Sequence, residues 1–250
     1  MKYIWRVYFD GYSHAHNSEY CQRGREIPGD AAVMLRLACE SGTTVAVATP
    51  HYYNAFQCTQ HLNKYGVAAA FEKLKEHIIK NEIPIKLCLG SELFGVNNIA
   101  QLVKRNEIIP LNGSRYVLTE FSFNDDFQRV RYCISQLKSA GYVPVIAHPE
   151  RYHFVHSDPS NIFWFLENGC PLQINKGSIL GRYGEEECEC SRWLIRNRFA
   201  FAVASDAHSP FRRTTDMSRS YRWVEEHFDR QYADELFDLN PKKLLKDISL

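Results

Sequence analysis

An α/β barrel of parallel strands is the fold this sequence predicts, and three observations carry that expectation. Short apolar runs recur at 44–48 (TVAVA), 85–89 (IKLCL), 116–120 (YVLTE), 143–147 (VPVIA), 171–175 (PLQIN) and 199–204 (FAFAVA). Most are apolar without alternation, the pattern of strands covered on both faces. Stretches of helical character separate them, and strand alternating with helix over 250 residues builds a parallel sheet that closes or nearly closes into a barrel.

The helical stretches fall near 61–81, 128–140, 160–168, 185–197 and 217–228, with the clearest at 30–41. There Asp30 can cap the N-terminus, Val33, Leu37 and Ala38 share a face, and Gly42 ends the helix. The tail LNPKKLLKDISL reads as a short closing helix begun by Pro241. No repeat, low-complexity segment or linker interrupts the pattern, so residues 1–250 are expected to form a single domain.

Composition narrows the function classes. Thirty Lys and Arg balance twenty-nine Asp and Glu for a net charge of +1, which provides no global field for nucleic acid or an anionic membrane. The N-terminus has charges at Lys2, Arg6 and Asp10 instead of a signal-peptide core, and no stretch has the ~18 apolar residues of a membrane span. A cytoplasmic protein without membrane insertion is expected. The eight cysteines sit mostly inside apolar segments, as small hydrophobes of a reducing compartment. Cys188 and Cys190 lack the two-residue spacing of a zinc or redox pair.

The chemistry lies at the C-terminal ends of the strands, which deliver His14 and His16, His51, Glu92, Glu120, His148, Asn175, then Asp206 and His208. A lone histidine beside an apolar strand is usually a hydrogen-bonded structural residue. Here six strand ends deliver His, Glu or Asp, and in a parallel barrel those ends converge on one face. Costly polar groups gathered there point to a metal centre. His14 and His16 are alternate residues that project to one side of an extended chain and can grip one ion, and Glu92 could bridge that ion to a second. Imidazole and carboxylate donors without thiolate suit a catalytic site for manganese, iron or zinc better than calcium or structural zinc.

Two such ions would activate water near neutral pH and clamp the oxygens of a phosphate, so hydrolysis of a phosphate ester is the expected task. Arg151, three residues beyond His148, is placed to bind the remaining phosphate oxygens, with Arg212 and Arg213 as further candidates.

Taken together, SHAH, ATPH, GSE, AHPER, LQINKGSILG and ASDAH, in this order, resemble the polymerase and histidinol phosphatase (PHP) superfamily. Within it the chain is similar to bacterial manganese-dependent protein-tyrosine phosphatases of capsular and exopolysaccharide operons. The resemblance implies a distorted (β/α)7 TIM-like barrel and a cluster of two or three divalent ions, manganese foremost, with iron, zinc or magnesium as alternatives. It implies as ligands His14, His16, His51, Glu92, Glu120, His148, Asp206 and His208, with His208 and Arg151 catalytic and Arg151 binding phosphate. The implied substrate is the phosphotyrosine tail of a bacterial tyrosine kinase, and a homo-oligomer is compatible with it.

The chain departs from that pattern twice. Tyr12 stands where the family has an Asp before the His pair, and Gln22 and Arg23 stand where it has acids that contact a third ion. Arg23 could replace that cation and touch phosphate, or Glu19 or Glu26 could restore a ligand. A small-molecule phosphatase of the histidinol-phosphate type, and an impaired member that binds metal or kinase without turnover, are the alternatives. Tyr52, Tyr53, Phe56 and Tyr152 are aromatic candidates for the mouth.

Overall fold

The computed structural model describes residues 3–7, 28–52 and 64–250. Among them the strands are β1 (Tyr3–Val7), β2 (Val45–Ala48), β3 (His51–Tyr52), β4 (Lys86–Leu89), β5 (Glu92–Phe94), β6 (Tyr116–Glu120), β7 (Val143–Ala147), β8 (Leu172–Asn175) and β9 (Ala200–Ala204). The helices are α1 (Pro28–Glu40), α2 (Lys64–Lys80), α3 (Ile99–Lys104), α4 (Phe127–Ser139), α5 (His153–Ser157), α6 (Asn161–Glu167), α7 (Lys176–Ile179), α8 (Glu185–Arg196), α9 (Ser218–His227), α10 (Arg230–Asp234) and α11 (Asn240–Leu245). All strand pairs are parallel, in two ladders ordered β1-β2-β4 and β3-β5-β6-β7-β8-β9.

The ladders are continuations of each other. Pro50 has no N–H to donate and interrupts the run from β2 to β3, while Gly90 and Ser91 interrupt β4 before β5. Gly90 leaves room for Leu111, whose Cδ2 would lie 2.8 Å from a Cβ at this position and would have to shift. Pairing persists across both breaks through Gly90 N–H to the Ala48 carbonyl (2.8 Å) and Glu92 N–H to the Pro50 carbonyl (2.9 Å). The sequence predicts single strands at 44–48 and 85–89; the structure bends each and adds a short segment that turns toward the site. A hydrogen-bonded ring that closes the strands is not found among the described residues.

The non-alternating strands are buried on both faces, as expected. Val117, Ile146, Ile174 and Val203 join the outer core beneath the helices, while Tyr116, Leu118, Val145, Ala147 and Ala204 fill an inner core with Val47 and Cys88. Adjacent residues on one strand therefore serve two apolar layers. The predicted helices at 128–140, 160–168, 185–197 and 217–228 form within a residue or so. Asp126 caps α4 by accepting from the N–H groups of Gln128 and Arg129.

Helix α1 corrects the sequence reading in two ways. It starts at Pro28, a favoured first helical residue, so Asp30 lies inside the first turn. Its buried face is Ala31, Met34, Leu35 and Ala38, whereas Val33 is 42% exposed. Gly42, at φ 89°, ends it as expected.

The C-terminal segment covers the N-terminal end of the inner core. Leu244 packs into that layer, the Tyr116 hydroxyl donates to the Ile248 carbonyl (2.6 Å), and Asn112 Nδ2 donates to the Leu245 carbonyl (3.0 Å). One end of the strands is thus sealed, and the polar chemistry collects at the other. Leu118 is 1% exposed in the inner layer. Leu118→Ala is expected to lower unfolding free energy by about 2–5 kcal/mol, read as a lower urea midpoint at unchanged slope; a loss under about 1 kcal/mol would mean the layer is not close-packed.

Candidate metal centre at the strand C-termini

His51 opens β3, Glu92 opens β5, and the two are register partners on adjacent strands. Glu120 ends β6, His148 follows β7, Asn175 ends β8, and Asp206 and His208 follow β9. His148 (φ 37°) and Asp206 (φ 46°) both adopt the left-handed region, which costs a non-glycine residue energy and is concentrated at functional sites. Each of these two strands therefore ends in a sharp turn that holds its side chain over the C-terminal ends of the strands instead of letting it follow the strand.

His51 Nδ1 lies 3.0 Å from Glu92 Oε2 and 3.0 Å from Glu120 Oε1. On the other side, His148 Nε2 lies 3.4 Å from Glu92 Oε1 and 3.4 Å from Glu120 Oε2. Two buried carboxylates are thus held between two imidazoles. Burial alone would lower the His51 pKa, yet the charges and hydrogen bonds of Glu92 and Glu120 outweigh it and raise it to about 10. The pair makes a strongly negative, largely desolvated pocket, the environment that stabilises a divalent cation.

The donor set fits such an ion. One ligand atom each from His51, Glu92 and Glu120 lies within 4.8 Å of the others. The described cysteines, Cys39, Cys88, Cys133, Cys170, Cys188 and Cys190, are free and take no part in this cluster. Imidazole and carboxylate donors suit manganese, iron or zinc in a reactive site.

Asp206 belongs to a second group beside this cluster. Its Oδ2 accepts from Asn175 Nδ2 (2.7 Å) and from the Arg213 guanidinium, and Asn175 Oδ1 accepts from Gln173 Nε2 (2.9 Å). His208 Nδ1 lies 3.0 Å from the Asp206 carbonyl and 3.6 Å from Asp206 Oδ1, and its ring is 5.7 Å from that of His51. The relay Gln173–Asn175–Asp206 fixes the orientation of the aspartate. Beneath it, Glu150 is fully buried and accepts from Asn175 N–H (2.9 Å) and Ser178 Oγ (2.7 Å), tying the turn after β7 to the start of α7. Burial pushes the Glu150 pKa up.

A pocket opens over these residues, lined by His51, Glu120, His148, Asp206 and His208 together with Phe121, Phe123, Arg151 and Arg213. Of the residues singled out from sequence, the structure thus brings together His51, Glu92, Glu120, His148, Asp206, His208 and Arg151. His14, His16, Arg23, Tyr12, Glu19 and Glu26 lie outside the described residues. Arg213, a weaker sequence candidate, lines the pocket, while Arg212 does not. The aromatic expectation changes: Tyr152 is fully buried, its hydroxyl donating to the Ala147 carbonyl and accepting from Phe121 N–H, and Tyr52 is buried too. Tyr53 and Phe56 lie outside the described residues, and the pocket's aromatic wall comes from Phe94, Phe121 and Phe123. Gln173 escapes the sequence reading, although a glutamine inside an apolar strand, two residues before Asn175 on the same face, is its signal.

Parallel strands that carry a carboxylate–imidazole cluster at their C-terminal ends define an α/β protein with a candidate metal centre. The chain belongs to the capsular polysaccharide synthesis CpsB/CapC family, whose model matches residues 14–246. It is 29% identical over 234 residues to the tyrosine-protein phosphatase YwqE of Bacillus subtilis, covering 94% of this chain and 91% of that protein. It is 33% identical over 186 residues to the putative tyrosine-protein phosphatase CapC of Staphylococcus aureus, covering 72% and 69%. A chain from the crystal structures of YwqE from Bacillus subtilis and CpsB from Streptococcus pneumoniae, unique metal-dependent tyrosine phosphatases, matches with a TM-score of 0.81 at 28% identity over 88% of each chain.

With Asp206 taken as one of the ligands that the sequence resemblance implies, its orientation matters, and Asn175→Ala is expected to weaken binding of a divalent cation such as Mn2+ about 10- to 100-fold. Calorimetric titration of the two proteins checks this, and equal affinities would show that the relay does not set the site.

Proposed function

We propose that this chain is a metal-dependent protein-tyrosine phosphatase that dephosphorylates a bacterial tyrosine kinase controlling capsular or exopolysaccharide synthesis. The observation that carries this reading is the buried Glu92–Glu120 pair held between His51 and His148, beneath a pocket that also contains Arg151. The kinship with YwqE and CapC supports the choice of phosphotyrosine over histidinol phosphate.

In this reading His14, His16, His51, Glu92, Glu120, His148, Asp206 and His208 hold the ions, with manganese foremost. The bound ions would supply the charge that activates a water and neutralises the phosphoryl oxygens. The chain's own residues do the rest. Arg151 binds the phosphoryl oxygens through its fork of N–H donors, and Arg213 adds positive charge to the same wall while it pairs with Asp206. The Gln173–Asn175 relay keeps Asp206 aligned, and His208, beside Asp206 in the pocket lining, is both an ion ligand and a catalytic residue in this reading. Phe94, Phe121 and Phe123 line the pocket with apolar surface, which limits water around the phosphate.

The same reading counts β2 with β3 and β4 with β5 as two bent strands, giving seven positions in a (β/α)7 barrel of one domain spanning 1–250. The proximity of β1 and β9 supports closure between them. No helix among the described residues is long and apolar enough to cross a membrane. In this reading the phosphatase is cytoplasmic, meets its kinase at the phosphorylated tail, and assembles as a homo-oligomer. Arg23 is assigned to the third-ion side, where it either substitutes for that ion or assists phosphate binding.

Hydrolysis of a phosphotyrosine peptide should require Mn2+ and stop with a chelator. His148→Ala should lower kcat by about 100-fold or more, the scale of losing one group that holds and orients the charge. Activity that survives chelation, or an alanine variant equal to wild type, would contradict the proposal. Metal analysis should find two ions per chain if Arg23 replaces the third, and Arg23→Asp should then bring the content to three. Three tightly bound ions in wild type would refute that substitution.

A further inference from the structure

Arg151 is held in an unusual way for a phosphate-binding arginine. Its Cζ lies 4.2 Å from the centre of the Phe123 ring and 4.7 Å from the centre of the Tyr183 ring, so two aromatic faces clamp the guanidinium. Among the described residues Arg151 forms no ion pair with a carboxylate, and its buried Nε has no hydrogen-bond partner. Ring faces can fix a cation without occupying its N–H donors. Tyr183 in turn is seated on Gly177, where a Cβ would fall 2.6 Å from its ring, and Arg213 Cζ lies 5.7 Å from the ring centre.

Phe123 has a second exposure. It is 40% accessible, lines the pocket, and meets the His148 ring edge-on at 6.0 Å. An exposed phenyl ring at the rim of a phosphate pocket, one ring-width from the arginine that would take the phosphoryl oxygens, is where the ring of an aryl phosphate would lie.

We propose that Phe123 is the specificity-determining residue that seats the aromatic ring of an aryl phosphate, and that Tyr183 is a positioning residue that holds Arg151 for the phosphate itself. Phe123 thereby distinguishes aryl from alkyl phosphate in addition to its share in holding Arg151, whereas Tyr183 affects both ligands alike. For its physiological substrate the assignment rests on the phosphatase reading above; for its ligand chemistry it rests on the pocket.

The two ligands that separate these roles are phenylphosphonate and methylphosphonate, titrated calorimetrically into the Mn2+-loaded full chain. Wild type should prefer the phenyl ligand. Phe123→Leu should reduce that preference about tenfold, the scale of one aromatic contact in a desolvated site, and Phe123→Tyr should restore it. Tyr183→Leu should weaken both ligands by about three- to tenfold with the preference intact. In turnover, Phe123→Leu should lower kcat/KM for a phosphotyrosine peptide more than for an alkyl phosphate, and Phe123→Tyr should restore the difference. An unchanged preference in Phe123→Leu, equal weakening of both ligands by it, or failure of Phe123→Tyr to rescue would overturn the assignment. A wild type that prefers phenylphosphonate in this Phe123-dependent way yet hydrolyses no phosphotyrosine would sustain the ligand assignment and defeat the phosphatase reading.

Discussion

Two carboxylates, Glu92 and Glu120, are buried within reach of the same imidazole nitrogen, and the rest of the molecule is arranged around keeping them there. Like charges out of water repel each other and lose their hydration, so an arrangement of this kind persists only where positive charge or strong donors compensate. His51 and His148 supply part of that compensation from opposite sides, and the His51 pKa, raised to about 10, shows the strength of the field they answer. A divalent cation answers the same field more completely. The proposed chemistry of the site and its fitness for a metal ion therefore have one cause.

That constraint explains the irregularities of the fold. Regular strands would carry His51 and Glu92 along the sheet, but the breaks at Pro50 and at Gly90–Ser91 redirect two strands without ending their pairing. The left-handed residues His148 and Asp206 do the same at two other strand ends. The cost of strained backbone is offset by the double-sided apolar packing of β6 to β9 and by the C-terminal segment that seals the opposite end. Rigidity below permits strain above.

Much of this was legible in the amino-acid order, for identifiable reasons. Unbroken apolar runs announce strands buried on both sides, and the ligand types at their C-terminal ends announce where those ends converge. The bends were hidden, because the runs at 44–48 and 85–89 read as strands that end there, and residue spacing does not show that the ladder continues past Pro50 and past Gly90–Ser91. The α1 face was misread because Val33 looks like core by hydrophobicity, while Met34 and Leu35 occupy the buried side. Aromatic positions were the least legible. Tyr152 adjoins Arg151 in sequence yet points into the core, whereas Phe123 and Tyr183, distant in sequence, meet across the arginine. Such contacts depend on side-chain direction in three dimensions, which residue spacing does not encode.

The central claim is that Glu92 and Glu120 together form a cation site. Thermal melting with and without Mn2+ tests it in wild type, Glu92→Gln and Glu120→Gln, since a ligand that binds only the folded state raises Tm in step with its affinity. The account predicts a large Mn2+-dependent rise in wild type that is mostly lost in either glutamine variant. A Mn2+ response unchanged by both substitutions would contradict it.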